Sequence, residues 1–86
     1  MKYKISADLS VRKIENEIFV LNRKNSNLHS FNKTGAFLWE MAQQGKNADE
    51  MLKALTDKYD VSIETAQKDV GDFFVLLQTN GLVEDQ

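Results

Sequence analysis

Leu28-His29-Ser30-Phe31-Asn32-Lys33-Thr34-Gly35-Ala36-Phe37-Leu38-Trp39 is the stretch that decides the fold of this chain. Before it, apolar residues alternate as they do in strands. After it, they recur at helical spacing. The period changes at Phe31-Asn32. Asn32 is a good helix N-cap, because its side chain can accept a bond from an orphan backbone N–H of the first turn. Phe31 before the cap and Ala36 after it are placed for a hydrophobic staple. Gly35 and Ala36 are small, so the helix can start close to whatever it packs on. Phe37, Leu38 and Met41 supply a core stripe, and Trp39, the only tryptophan, lies beside it. Taken one at a time, all these side chains read as core.

Working outward toward the N-terminus, Val11-Arg12-Lys13-Ile14 and Ile18-Phe19-Val20-Leu21 are rich in β-branched and aromatic residues. Glu15-Asn16-Glu17 and Arg23-Lys24-Asn25-Ser26-Asn27 read as polar turns. Strands are predicted near 11–14, 18–22 and 27–31, forming an antiparallel meander. Residues 1–10 alternate weakly and fit an extra strand or a mobile arm. Toward the C-terminus, helices are predicted near 33–44, 48–59 and 63–80. Gly45 stops the first, and Asn47 with Glu50 forms a capping box for the second. Ala48, Met51, Leu52, Leu55 and Tyr59 repeat along one face of that helix. Ser62 caps the third, with Val61 and Ala66 as its staple. Ile63, Ala66, Val70, Phe73, Phe74 and Leu77 fall within an arc of about 100° and mark its buried face. Asn80-Gly81 ends it, and Leu82-Val83 returns to the sheet or the core. The fold class is α+β and winged-helix-like. An N-terminal three-stranded antiparallel meander is followed by three α-helices, in a single domain over residues 1–86.

Composition narrows the chemistry. A chain of 86 residues buries only about 60–65% of its unfolded surface, so a deep cavity is not expected. There are no cysteines and one histidine, His29, so neither a thiolate nor a histidine metal cluster can be built. No Ser/His/Asp or Cys/His nucleophile set can be assembled, and Thr34-Gly35 lacks the glycines and Gly-Lys-Ser/Thr end of a phosphate loop. Asp69 and Asp72 sit three apart on one helix, but on its polar side, where a solvated face is expected rather than an acid–base pair. The reading is of a non-enzyme. No stretch approaches a membrane span, and Met1-Lys2-Tyr3-Lys4-Ile5 lacks the apolar run of a signal peptide; a cytoplasmic setting is the expectation. Charge is uneven. Residues 1–34 carry seven Lys/Arg against three acids, and residues 35–86 carry four lysines against ten acids, a split of +4 and −6.

With Phe31-Asn32-Lys33-Thr34-Gly35-Ala36-Phe37-Leu38-Trp39 and Gly45 in place, the chain resembles the PqqD-like family, also called RiPP recognition elements. Its pattern is Leu-Asn-x-Thr-(Gly/Ala)-Ala-x-Ile-Trp and then a glycine. A helix ending in an aromatic, here Tyr59, comes next. The second half reads Asp-Val-x-x-Phe-Leu-x-x-Leu-x-x-x-Gly-Leu, matched here by Asp69-Val70-Gly71-Asp72-Phe73-Phe74-Val75-Leu76-Leu77-Gln78-Thr79-Asn80-Gly81-Leu82. The resemblance covers about residues 5–84. It implies a non-catalytic protein without a cofactor; the family includes fused and stand-alone forms, and at 86 residues the stand-alone form is the expectation. Such a protein binds the leader segment of a ribosomally made precursor peptide and presents it to a modifying enzyme such as a radical SAM protein, as in pyrroloquinoline quinone biosynthesis. It further implies that the leader adds as a strand to the last strand of the meander, beside the third helix. That maps to Asn27, Leu28, His29, Ser30 and Phe31, and to Asp69, Phe73 and Leu76. The chain departs from the pattern where Phe31 replaces the leucine and where Val75 and Leu76 are apolar. Those two leave apolar surface for a peptide, a homodimer or an enzyme.

Strand addition also has a physical basis apart from the resemblance, because a free strand edge offers unpaired N–H and C=O groups. The basic half would attract an acidic leader. Two other classes fit the same fold: a winged-helix DNA-binding module and a tether subunit of a modifying enzyme. Against DNA, the third helix sets Glu64, Asp69 and Asp72 against Lys68 alone, and a duplex would be repelled.

Overall fold

The computed structural model describes residues 3–85. The order is β1 (Tyr3–Ile5), β2 (Leu9–Ile14), β3 (Glu17–Asn22), β4 (Asn27–Phe31), α1 (Lys33–Gln43), α2 (Ala48–Lys58), α3 (Ile63–Thr79) and β5 (Val83–Asp85). β2, β3 and β4 make the predicted antiparallel meander with β3 in the middle, and the three helices follow. β2 begins at Leu9, two residues before the predicted start. The stretch read as an extra strand or a mobile arm holds β1, which leaves the meander and pairs antiparallel with β5; Met1 and Lys2 lie outside the described residues. The Ser6 N–H donates to the Leu82 carbonyl at 3.0 Å and the Ser6 hydroxyl to the Gly81 carbonyl at 2.8 Å. The Tyr3 hydroxyl donates to the Lys46 carbonyl. The two chain ends are thus tied together and to the α1–α2 turn.

Local chemistry fixes where the helices start. Asn32 accepts from the Gly35 N–H at 3.0 Å, Asn47 and Glu50 satisfy each other's backbone N–H, and Ser62 accepts from the Thr65 N–H at 3.1 Å. Each cap satisfies orphan donors that would otherwise be left without an intrahelical partner. On β3, Ile18, Val20 and Asn22 are buried under the helices, and Phe19 and Leu21 alternate onto the other face. Asn22 is the buried polar residue among them. Its amide donates to the Gly81 carbonyl at 3.2 Å, and its carbonyl oxygen accepts from the Lys24 N–H at 3.0 Å. A side chain at Gly81, which adopts φ +67°, would press on that amide.

The core joins Ile18, Val20 and Phe31 to Leu38, Trp39 and Ala42 of α1, Met51 and Leu55 of α2, and Ala66, Val70, Phe73, Phe74 and Leu77 of α3, with Leu82. Two details differ from the expected stripes. On α1 the buried set is turned toward Trp39, and Phe37 and Met41 are half-buried. Ile63 and Ala48, placed on buried faces by their angle, are exposed, Ile63 by 59%. Both are the first residue of their helix. Angle around the axis is right for burial, but the first turn stands beyond the elements that would cover it.

Trp39 is fully buried, stacked on Phe31 at 5.5 Å between ring centroids, and its Nε1–H has no hydrogen-bond partner. Its value is therefore volume and ring contact. Trp39→Ala is expected to cost about 3–5 kcal/mol. Trp39→Phe is expected to cost clearly less, because it also removes an unsatisfied buried donor. Chemical denaturation of both variants checks the order; equal losses would show that the indole N–H matters.

Candidate functional site: an open strand edge beside an apolar groove

Among the described residues, β4 has β3 on one side and no strand on the other. Which of its backbone groups face the open side follows from one hydrogen bond at the far end of β3. The Arg23 N–H donates to the Asp8 carbonyl at 2.8 Å, one step beyond the Leu9–Asn22 pair. In an antiparallel ladder, successive residues direct their backbone groups to opposite neighbours. Arg23, Leu21, Phe19 and Glu17 therefore bond β2, and Ile18, Val20 and Asn22 bond β4. Their partners on β4 are Phe31, His29 and Asn27. The N–H and C=O groups of Leu28 and Ser30 are left pointing to the open edge.

Side chains alternate independently of the hydrogen bonds. His29 and Phe31 share the helix-facing side of the sheet with Val20 and Ile18. There, a groove of about 370 Å³ runs between β4, the start of α1 and α3. It is lined by His29, Ser30, Phe31, Asp69, Phe73 and Leu76, six of the eight residues predicted for the site. Phe31 forms its floor, packed on Phe73 at 5.6 Å and capped by the His29 ring at 4.8 Å. Asn27 and Leu28 do not line the groove. The Leu28 side chain lies on the outer face of the sheet, 67% exposed, and only its backbone belongs to the edge.

Asn32, Thr34, Gly35, Leu38 and Asp72 also line the groove and were not assigned to the site from sequence. Thr34, Gly35 and Leu38 share one face of α1, a spacing of one and three that was visible in the sequence. Gly35 has a steric reason: a Cβ there would come within 3.0 Å of the Phe31 ring. The α3 wall is not purely a solvated face. Asp72 is exposed and bridges Lys68 at 2.8 Å, whereas Asp69 is half-buried at the rim. The groove itself thus carries carboxylates, and the lysines of the basic half lie elsewhere.

The described residues hold no group of three or more His, Cys, Asp or Glu placed to bind a metal ion, and no helix long and apolar enough to cross a membrane. What the site offers is recognition chemistry: backbone donors and acceptors on an edge, apolar rings below, and a polar rim.

Burial holds the His29 imidazole below its usual pKa of 6.5, because desolvation disfavours the charged ring. The folded state then takes up a proton less readily than the unfolded chain. The stability carried by the neutral ring is present above pH 6.5 and is lost as the pH falls below it, through the depressed folded value. His29→Gln is expected to flatten the acid side of the stability–pH curve in that window. An unchanged slope would place the ring in solvent.

Comparison with known proteins bears on the family and the fold. The family model for coenzyme PQQ synthesis protein D (PqqD) matches residues 17–83. The solved structure of TbiB1 in complex with the TbiA(β) leader peptide superposes with a TM-score of 0.88 at 26% identity, covering 94% of each chain. Lasso peptide synthetase B1 complexed with the leader peptide also superposes at 0.88, at 19% identity, over 98% of this chain and 99% of that one; at that identity the likeness is one of fold. No curated protein matches the sequence.

Proposed function

The chain belongs to the PqqD family, and from that premise we propose that it binds the leader segment of a ribosomally made precursor peptide and presents the precursor to a modifying enzyme, such as a radical SAM protein. The observation that carries this reading is the free backbone of Leu28 and Ser30 beside an apolar groove. A leader adds to β4 as a further strand. Its backbone bonds Leu28 and Ser30, and every second side chain turns down toward His29, Phe31, Phe73 and Leu76. The leader peptide carried by the similar TbiB1 structure supports the same occupant.

Magnitudes show what each part must supply. Leu28 and Ser30 offer two donors and two acceptors, and four backbone bonds contribute about 2–6 kcal/mol net. Even a micromolar complex needs about 8 kcal/mol, before the cost of ordering the peptide. The edge alone is insufficient. Apolar side chains in the groove must supply the rest, at about 25 cal/mol for each Å² they bury, and that requirement selects the peptide. Binding is the protein's contribution, and bond-making belongs to the enzyme that receives the precursor. The DNA-binding alternative fares worse: on α3 Glu64, Asp69 and Asp72 stand against Lys68, which is already paired with Asp72.

A displayed library of random peptides, selected on the folded protein, supplies the probe. Enriched peptides are expected to carry apolar side chains at alternate positions. Ser30→Pro removes one outward donor from an edge strand, so the domain should stay folded and lose peptide binding. His29→Pro instead breaks a ladder bond to β3 and should cost about 1–3 kcal/mol of stability. Leu76→Asp should weaken binding without unfolding the domain. Chemical-shift changes on titration should fall in residues 27–31 and 69–76; if they cluster in 47–59 and spare both, the peptide binds elsewhere.

A further inference from the structure

On the opposite side of the first turns of α1 from the groove lies a second, smaller hollow of about 110 Å³, enclosed by the β2–β3 hairpin, α1 and the end of α2. Its floor is aromatic: Phe37 and Tyr59 meet edge to face at 5.9 Å. Three lysines surround it. Lys58 lies 4.8 Å from the Phe37 ring centroid, and Lys13 bridges Glu40 at 2.7 Å. Lys33 has no ion-pair partner among the described residues. The side chains that line it set three ammonium groups against one carboxylate, a surplus of positive charge at the lining on a chain whose net charge is −2. The first turn of α1 adds to it, because that turn carries no acidic side chain to offset the positive end of the helix dipole.

We propose that this hollow binds an acidic segment of the same peptide that occupies the groove, and so fixes the direction in which the peptide lies on β4. The inference rests on the peptide-binding reading above and adds a second contact to it. The sheet register gives the path. Lys13 pairs with Ile18, and Ile18 pairs with Phe31, so Lys13 and the end of β4 stand in one transverse row. Two strand spacings separate them, and a strand added to the edge of β4 lies one spacing further out, so the peptide has about 14 Å to cross, which roughly four to five extended residues span. Thr34, Gly35 and Leu38 face the groove, and Lys33, Phe37 and Glu40 face the hollow. A peptide that leaves the edge at Phe31 and crosses the start of α1 therefore arrives among the lysines. Only the peptide end at the Phe31 end of β4 can do so. The opposite end leaves beside Asn27, at the other end of the strand.

The test uses one groove-binding peptide selected from the display library, as the parent, and two derivatives of it. Each derivative carries a short glycine-serine spacer and a run of glutamates, one at the N-terminus and one at the C-terminus. At low salt, one derivative is expected to bind roughly three- to tenfold tighter than the parent, as a few exposed charge contacts allow, and the other is expected to show no gain. The gain should shrink as salt rises. Read as a ratio to the parent within each variant, it should vanish in Lys33→Glu/Lys58→Glu and grow in Glu40→Gln, which releases Lys13. A gain at neither end, an equal gain at both, or a gain that survives Lys33→Glu/Lys58→Glu overturns the acidic-segment site while leaving groove binding intact. If the selection yields no peptide that binds the groove, the leader-binding reading falls and this inference with it.

Discussion

The architecture depends on the packing of one ring. Phe31 is the last residue of β4, and it touches Trp39 of α1, Phe73 of α3 and His29 of its own strand, with centroid separations of 5.5, 5.6 and 4.8 Å. Strand, cap and two helices are therefore set against one another at a single point. The ring can lie there because Gly35 presents no side chain to it. It also serves two ends at once. Its inner contacts are core, and its remaining surface is the floor of the groove. Core and groove thus share an atom set, which constrains both: a change at Phe31 cannot alter the groove without disturbing the joint.

Among the described residues the edge of β4 stays free for a separate reason. A covered edge would need another strand, and the obvious candidate is the N-terminal arm. That arm instead crosses the molecule to pair with β5, held by Tyr3, Ser6 and the carbonyls of Lys46, Gly81 and Leu82. Open edges are hazards in most proteins because they template aggregation. Here the exposure is limited: β4 is five residues long, and only Leu28 and Ser30 direct backbone groups outward. Such an edge is too short to hold an arbitrary strand by backbone bonds alone, so the proposed binding needs the groove as well.

Features encoded by adjacent residues were legible in the sequence. Asn32, Asn47 and Ser62 are caps, and the helices begin directly after each of them. The change of period at Phe31-Asn32 marks the strand-to-helix boundary, and the family pattern carried by Phe31 to Trp39 and by Asp69 to Leu82 pointed to six of the residues that line the groove. What could not be read depends on residues far apart in the chain. The pairing of β1 with β5 joins the two chain ends through two short strands whose own patterns are weak. The set of β4 residues that faces outward depends on the register of three strands, and the bond between Arg23 and Asp8, neither of which lines the groove, reveals it. The charge asymmetry was visible, but not that Lys13, Lys33 and Lys58, from three separate elements, meet around Phe37 and Tyr59. Helical angle alone also overstated burial at Ile63 and Ala48, because it says nothing about position along the axis.

The central claim is that peptide recognition runs through the backbone of Leu28 and Ser30. Amide hydrogen exchange at single-residue resolution tests it directly, with and without a peptide selected from a displayed library. In the free protein the amides of His29 and Phe31 should be protected by β3, and those of Leu28 and Ser30 should exchange fast. Saturation with peptide should slow Leu28 and Ser30 strongly and leave the other two little changed. Saturating peptide that leaves Leu28 and Ser30 exchanging as fast as before would contradict strand addition at this edge.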